Sequence, residues 1–299
     1  MRVRIWGCRG SLAAPGADTI RYGGNTSCVE VRLASGHVLV LDAGTGMRPL
    51  GVAMQHDLPA ELYILLTHLH LDHLQGLGFF RPLFAPGLPI QIWGPTSPVQ
   101  GLEERIARYL SPPLFPVHLD DIPSNISFHD APETAVVIGS ATVRAAKVTH
   151  QGPTVGYRIE EADQVLVYLP DHEPAIGTDL STVSPDWMSG YDLAHHADVL
   201  LHDAQYHDHE YGAHAGWGHS SVTDTMEFAT KSAVGRVVLF HHDPYHNDND
   251  LEELLNDARS KWTGNEDHVQ LASERMTITF ERGAVHLTES AMPDIRSLS

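Results

Sequence analysis

Four side chains of types that bind metal ions lie within seven residues, in the stretch THLHLDH at positions 67–73. Residues two apart in an extended segment point to the same side, so His68 and His70 can bind one ion together. A turn after His70 would direct Asp72 and His73 to a second position nearby. Imidazole and carboxylate groups suit zinc, manganese or iron(II). The stretch therefore predicts ligands for two divalent cations.

Six short apolar runs are predicted to be buried strands, and each delivers a histidine or an aspartate at its carboxyl end. In sheets covered by helices, ligands gather at these ends. Any one of the six could be an ordinary turn residue, but the six together favour a shared site. They are Asp42 after VLVL, His68 after LYILL, His150 after ATVRAAKVT, Asp171 after VLVYL, Asp203 after VLLH and His241 after VVLF.

Two cations a few ångströms apart need an anion between them, and Asp171 is a natural bridge. His150 and His241 would then complete one position each. Metal lowers the pKa of bound water to about 7, which produces hydroxide at neutral pH. The same cations can stabilise the attacking and leaving oxygens of a displacement at phosphorus. The ligand set therefore indicates hydrolysis.

The composition limits the classes of protein to consider. The 299 residues are 42% hydrophobic, which is ample for a sizeable core. A formal net charge of −19, with no run of Lys or Arg, disfavours binding of an extended nucleic acid. The two cysteines, Cys8 and Cys28, exclude a disulfide scaffold and suit a reducing compartment. With no signal region and no apolar run of membrane length, we expect a cytoplasmic protein that does not bind membranes.

Strands and helices mix along the whole chain, which predicts a layered α/β domain in two halves, the first ending near His150. No linker divides the sequence, so residues 1–289 are expected to form a single domain. Residues 290–299 are expected to be a loose tail. Further predicted elements are a helix at 74–83, a capping box at 221–224, a helix at 250–262 and a late hairpin within 269–289.

The motif His-x-His-x-Asp-His after an apolar strand resembles the metallo-β-lactamase superfamily. The stretch LDAGTG at 41–46 resembles an Asp-Gly turn of that family, and the later ligands occur in the family's order. The resemblance implies a four-layer αββα sandwich, with two sheets packed face to face and helices outside. It also implies a metal-dependent hydrolase with two divalent ions, zinc in the first place, with manganese or iron as alternatives. The implied ligands are His68, His70 and His150 for the first metal, Asp72, His73 and His241 for the second, and Asp171 as the bridge.

Two residues near this predicted centre have further roles to consider. His242 is an alternative to His241 because LFHHDP offers both, and we favour His241 as the first residue past the strand. Asp42 is expected to hold a ligand histidine or its loop.

Within the superfamily, the phosphodiesterase branch is the closer likeness. It includes ribonuclease Z and cyclic-nucleotide phosphodiesterases. By this resemblance Asp203 and His219 form a hydrogen-bonded pair, in which His219 contacts a phosphate oxygen or protonates the leaving alkoxide and Asp203 orients the ring. Asp72 is the third candidate catalytic residue. The stretches that carry the likeness are RIWGCRGSLAAPG at 4–16, RYGGNTSC at 21–28 and LLHDAQY with GWGHSS within 200–221.

Residues that bind the substrate are not predicted. Possible phosphate contacts are Arg9, Arg21 and Tyr22, whereas Trp217 and Tyr206 could stack on a base or simply pack. His172 departs from the small or hydroxyl residue that many relatives carry after the bridging aspartate.

The leading function is hydrolysis of a small phosphodiester, such as a cyclic nucleotide. Alternatives are tRNA 3′-end processing, hydrolysis of a lactam, thioester or lactone, and a non-enzymatic metal sensor. Ribonuclease Z holds tRNA with a protruding basic arm, and residues 74–149 contain no basic hairpin. Dimerisation is common in the branch, so a homodimer is an additional expectation.

Overall fold

Two β-sheets packed face to face form the centre of the computed structural model, which describes residues 1–281 and 283–289. The described strands are β1 (Arg2–Gly7), β2 (Cys28–Arg32), β3 (Val38–Leu41), β4 (Leu62–Leu65), β5 (Pro89–Gly94), β6 (Asn125–Asp130), β7 (Val136–Ile138), β8 (Ala141–Lys147), β9 (Val155–Glu161), β10 (Gln164–Leu169), β11 (Val199–Asp203), β12 (Arg236–Phe240), β13 (Val269–Leu271), β14 (Met276–Glu281) and β15 (Ala284–Glu289). The described α-helices are α1 (Met47–Ala53), α2 (Leu102–Ala107), α3 (Tyr191–Ala194), α4 (Asp208–His214), α5 (Val222–Lys231) and α6 (Asp248–Lys261).

The first sheet has eight strands in the order β15-β14-β1-β2-β3-β4-β5-β6, and the second has seven in the order β13-β12-β11-β10-β9-β8-β7. Strands β3 to β6 run parallel to one another, as do β10 to β13. Parallel strands are usually buried on both faces, which explains their continuous apolar runs.

Alternation of side chains along the strands separates the layers. In β3, Leu39 and Leu41 point into the core between the sheets, whereas Val38 and Val40 pack outward near α1. On the other side, α5 and α6 cover the outer face of β10, β11 and β12. The predicted four-layer arrangement of helix, sheet, sheet and helix is confirmed.

Three local predictions were wrong. Residues 74–83 form short 3₁₀ turns at Leu77–Phe79 and Arg81–Phe84 instead of one helix. A Cβ atom at Gly76 would lie 1.9 Å from the carbonyl oxygen of Gly44, so a close backbone contact sets this segment. The short strand β13 belongs to the second sheet, and only β14 and β15 form the late hairpin. The predicted boundary between two halves near His150 does not match the sheets, because β7 and β8 already lie in the second sheet and β14 and β15 return to the first.

Half of the predicted capping box is present: the Ser221 side chain accepts a hydrogen bond from the backbone N–H of Asp224 at the start of α5, and the Asp224 carboxylate accepts from the Ser221 hydroxyl instead of its backbone N–H. The predicted tail, 290–299, and Arg282 lie outside the described residues. The single domain over 1–289 stays a prediction. No helix in the described part of the chain has the length and apolar character needed to cross a lipid bilayer.

Candidate metal centre

The carboxyl ends of six strands lie at one edge of the sandwich. Strands β3 and β4 are parallel, and so are β10, β11 and β12. Strand β8 runs in the same direction as β10, because both are antiparallel to β9. The residues that follow these strands or end them are Asp42, His68, His150, Asp171, Asp203 and His241. The topology therefore gathers all six predicted strand-end residues on the same side of the fold.

Three histidines form what we call the outer position, namely His68, His70 and His150. Their candidate ligand atoms lie within 4.8 Å of one another. The Nδ1 of His70 is 3.2 Å from the Nε2 of His150. His68 is buried, whereas His150 is half-buried and His70 is exposed. The outer position is therefore open to solvent on one side.

Asp72, His73 and His241 form the inner position. The Oδ2 of Asp72 lies 3.2 Å from the Nε2 of His73 and 3.3 Å from the Nε2 of His241. All three side chains are buried. The inner position is therefore closed to bulk solvent.

Asp171 faces both positions. Its Oδ1 lies 3.8 Å from the Nε2 of His68 and 3.8 Å from the Nε2 of His150. The same oxygen is 3.1 Å from the Nε2 of His241, and Oδ2 is 3.1 Å from the Nε2 of His73. This carboxylate thus has the placement that a bridge between two cations requires.

Buried polar atoms without partners mark the same place. The Nε2 atoms of His68 and His73 and the Oδ2 of Asp171 are shielded from solvent and form no hydrogen bond. The Nε2 of His73 is close to Asp171, but the two groups are not aligned for a hydrogen bond. A buried polar atom left unpaired costs about 1–3 kcal/mol. A divalent cation that accepts these lone pairs would remove that cost, and nitrogen with carboxylate oxygen suits zinc, manganese or iron(II).

The far nitrogens of three of these imidazoles are held by protein acceptors. A proton on each Nδ1 leaves the lone pair of Nε2 facing the centre, which is the form that binds metal. The acceptors are Oδ2 of Asp42 for His73 at 2.8 Å, the carbonyl oxygen of Gly218 for His150 at 2.9 Å and Oε1 of Gln205 for His241 at 2.9 Å.

Asp42 lies behind the inner position. Besides the His73 ring, its carboxylate accepts hydrogen bonds from the Thr67 backbone at 2.7 Å and the Tyr168 hydroxyl at 3.0 Å. Asp42 has φ of 59°, and His241 has φ of 58°. Residues other than glycine rarely adopt this left-handed conformation, and such strain is found where packing holds a functional side chain in place.

Burial lowers the pKa of the imidazoles in the outer position. The effect is large for His68, where the neighbouring His73 adds to it, and it also applies to His70 and His150. These rings are therefore neutral at pH 7 and able to accept a cation without losing a proton.

The histidines of the inner position have raised pKa values instead. Burial opposes the charge of His73, but Asp171 and Asp72 outweigh it and raise the pKa of the ring well above its usual value. Burial likewise opposes the charge of His241, but Asp171 prevails and raises the pKa of His241 to about 10. Burial would raise the pKa of Asp72, but His73 and His241 hold it well below the usual range. In the metal-free protein this position holds imidazolium–carboxylate pairs, and a cation must displace protons from it.

Asp203 and His219 form a close pair next to both positions. The Oδ2 of Asp203 accepts a hydrogen bond from the Nδ1 of His219 at 2.7 Å, and Asp203 is fully buried. The His219 ring stacks on His241 at 4.9 Å and lies 5.0 Å from the His150 ring. With Nδ1 engaged by Asp203, Nε2 of His219 is the atom that can meet a substrate.

The glycine-rich loop after β1 covers the inner position. The backbone N–H of Ser11 donates to the Oδ2 of Asp72 at 2.9 Å. A Cβ atom at Gly10 would lie 2.3 Å from the Nδ1 of His241, so a side chain there would displace the ring. The loop thus brings backbone close to the centre.

The three possible phosphate contacts have structural partners. Arg9 is fully buried and donates to the backbone carbonyls of Gly23, Asp243 and His246. Arg21 and Tyr22 both bind the carboxylate of Glu252, at 2.6 Å and 2.7 Å.

His242 and His172 lie outside the two positions. His242 donates to the carbonyl oxygen of Ala272 at 2.8 Å, so His241 is the histidine of this pair that enters the centre. The His172 ring is fully buried and contacts His202 at 2.9 Å between Nδ1 and Nε2.

Sequence reasoning missed the supporting residues Gln205, Gly218 and Tyr168. Gln205 lies two residues beyond Asp203, at the end of β11, and that placement was the one signal available. Gly218 acts through its carbonyl oxygen, and the glycine itself was the one signal, because a Cβ atom there would lie 2.4 Å from the Nδ1 of His150.

A family model described as "Beta-lactamase superfamily domain" matches residues 37–242, which contain every residue of the outer and inner positions. The chain belongs to the metallo-β-lactamase superfamily. A protein named Ribonuclease Z from Mycobacterium sp. (strain KMS) is 30% identical over 228 residues, covering 71% of this chain and 76% of that protein. This member of the superfamily therefore lies in the branch that contains ribonuclease Z and the phosphodiesterases, and it is a metal-dependent hydrolase.

Solved structures agree with the superfamily fold. The short form of human tRNase Z has a TM-score of 0.65 at 21% identity, covering 94% of this chain and 100% of that one. A diphosphatase from the PhnP family has a TM-score of 0.64 at 18% identity, covering 94% of this chain and 98% of that one.

Proposed function

We propose that this chain is a dinuclear-metal phosphodiesterase that hydrolyses a small diester such as a cyclic nucleotide. The observation that carries the proposal is the Asp203–His219 pair, whose imidazole stacks beside the outer and inner positions. Divalent cations bound at the two positions would lower the pKa of water and stabilise negative oxygens at phosphorus. Zinc is the metal we favour, with manganese and iron(II) as alternatives.

The protein's own groups would supply the proton transfer and the alignment. His219 donates a proton from Nε2 to the leaving alkoxide or a hydrogen bond to a phosphate oxygen. Asp203 accepts the hydrogen bond from Nδ1, which orients the ring and turns Nε2 toward the substrate. Asp72 is proposed as both ligand and catalytic residue, because its Oδ2 lies between His73 and His241 and is oriented by the Ser11 N–H.

Processing of tRNA is the second candidate, because the mycobacterial relative is named Ribonuclease Z. Two features favour a small substrate instead. Throughout residues 74–149, all of which the structure describes, every strand is part of one of the two sheets, so no hairpin projects as an arm. The net charge of −19 also repels a polyphosphate backbone.

The decisive experiment restores the measured metal to the purified protein and assays bis(p-nitrophenyl) phosphate, cyclic nucleotides, precursor tRNA and a chromogenic lactam. We expect diester hydrolysis to dominate. In His219→Ala, kcat should fall by about 10²–10⁴-fold with unchanged metal content. The exposed His56→Ala serves as the matched control. Fully loaded protein that cleaves the lactam or precursor tRNA but no small diester would refute the proposal.

A further inference from the structure

The loop Gly216-Trp217-Gly218 presents an exposed indole just before His219. Trp217 is 58% exposed, whereas Tyr206, the other candidate aromatic residue, is 4% exposed. The Tyr206 ring stacks on His214 at 4.4 Å, so it is part of the packing. The Trp217 indole meets His214 at a right angle, at 5.0 Å, and leaves much of its surface to solvent.

This loop lies directly against the outer position. The carbonyl oxygen of Gly218 accepts the hydrogen bond from the Nδ1 of His150 at 2.9 Å. A Cβ atom at Gly218 would lie 2.4 Å from that same nitrogen. Trp217 directly precedes Gly218, whose backbone contacts His150, and adjacent Cα atoms are about 3.8 Å apart. The residue that carries the indole is therefore next in the chain to a backbone group that contacts the outer position.

Glu173 anchors the backbone of the loop Gly216-Trp217-Gly218. Its carboxylate is buried and accepts hydrogen bonds from the backbone N–H groups of Gly216 and Gly218, each at 2.8 Å, and from the Tyr211 hydroxyl at 2.7 Å. A buried carboxylate costs free energy unless such donors compensate it. Here the donors lie on both sides of Trp217, so the charge fixes the backbone that carries the indole.

The glycines complete this arrangement, with φ of 84° at Gly216 and 92° at Gly218. The carbonyl oxygen of Gly216 also accepts a hydrogen bond from Gln151, at 2.7 Å. An exposed aromatic side chain on a preorganised backbone loses little entropy when a ligand binds to it. The loop has the properties of a binding platform.

A planar aromatic group is the partner that this platform fits, since stacking of a base on an aromatic side chain contributes about 1–3 kcal/mol. The net charge of −19 disfavours a long polyanionic strand. We propose that Trp217 stacks on the nucleobase of a mononucleotide-type substrate, with Glu173 as the positioning residue of the loop. The proposal rests on the proposed function, because the diester would lie at the outer and inner positions.

The test compares the binding of AMP and of ribose 5-phosphate to the metal-loaded protein by isothermal titration calorimetry. In Trp217→Ala, AMP affinity should fall about tenfold or more, with ribose 5-phosphate affinity nearly unchanged. Trp217→Phe should keep part of the preference for AMP. The matched control is Trp187→Ala, because Trp187 is 83% exposed on a separate turn, and both affinities should stay unchanged.

A double-mutant cycle tests Glu173. Glu173→Gln turns one acceptor oxygen into an N–H donor facing glycine N–H groups, so it should weaken AMP binding selectively. If Glu173 acts through the indole, Glu173→Gln should cause no further loss of AMP affinity in a protein that already carries Trp217→Ala. Equal weakening of both ligands in Trp217→Ala, or no weakening of either, would overturn the stacking role. Absence of diester hydrolysis by the wild type, together with selective loss of AMP in Trp217→Ala, would overturn the proposed function but not the base platform.

Discussion

The outer and inner positions lie side by side on Asp171, yet they are built in opposite ways. The outer position has three imidazoles with lowered pKa values and one exposed ring. The inner position is buried, has the carboxylate of Asp72 in addition to the shared Asp171 and, in the metal-free protein, is protonated on two histidines. The outer position is thus prepared to exchange ligands at neutral pH, whereas the inner position is suited to retain a cation once protons have left. We propose that the inner position retains its metal while the outer position exchanges ligands during turnover.

The largest effect is expected from Asp171→Asn, because this carboxylate faces both positions. Its loss should weaken metal binding at both, so that they no longer differ. We expect kcat on a phosphodiester to fall by more than about 100-fold, beyond what loss of a supporting residue usually costs. Metal content should fall at both positions. Elemental analysis and steady-state kinetics would measure the change, with the exposed Asp186→Asn as the control. Full activity in Asp171→Asn would contradict the assignment of this residue.

The pH dependence of metal uptake should differ between the positions. In the folded, metal-free protein the pKa of His241 is raised from 6.5 to about 10, so this histidine stabilises that protein below pH 6.5 and the contribution is lost as pH rises toward 10. A cation at the inner position must displace such protons, and its affinity should rise about tenfold per pH unit for each proton released. The outer position should show little dependence above pH 7.

Calorimetry in buffers of different ionisation enthalpy counts these protons directly. Uptake of both equivalents without any proton release, at neutral pH, would be incompatible with the raised pKa values of the inner histidines.

Chelation should separate the positions by at least about tenfold in affinity, because carboxylates attract a cation more strongly in a buried setting. We expect one equivalent of metal to leave quickly and the other slowly. In His70→Ala, which alters the exposed ring of the outer position, the fast class should disappear and the slow class remain. A single class of release in the wild type would show that the two positions are equivalent.

The smallest predicted effect comes from Tyr168→Phe, which removes a hydroxyl that donates to Asp42 behind the inner position. Stability should fall by about 1 kcal/mol, and metal affinity at the inner position should fall severalfold. Tyr157→Phe is a matched control, because the Tyr157 hydroxyl is equally buried but donates to the carbonyl oxygen of Leu66. It should show the stability loss alone. Equal metal affinity in both variants would show that the Tyr168 hydroxyl does not support metal binding at the inner position.

The candidate centre was largely predictable because its residues are tied to local patterns. His68 to His73 form one short motif, and the remaining candidate ligands lie within three residues of the ends of apolar strands. The supporting residues were not predictable for the opposite reason. Gln205 supports a histidine 36 residues away, and Gly218 supports one 68 residues away through a backbone carbonyl. Such contacts depend on tertiary structure and leave no local pattern.

The same limit applies to the fold. The layers and the N-cap at Ser221 follow from periodicity and local hydrogen bonding, which the sequence displays. The assignment of β13 to the second sheet does not, because the short run VQL has the same local pattern in either sheet. The 3₁₀ turns at 77–84 reflect the contact of Gly76 with Gly44, which lies 32 positions earlier in the chain and outweighs helical periodicity.

The buried guanidinium of Arg9 has a consequence for biosynthesis. It joins the loop after β1 to carbonyls at Asp243 and His246, across 234 and 237 positions of the chain. A nascent polypeptide on the ribosome cannot make these bonds until the last of those carbonyls has emerged from the exit tunnel. The Ser11 amide therefore caps Asp72 late, and the complete pocket matures only after residue 246 has left the ribosome.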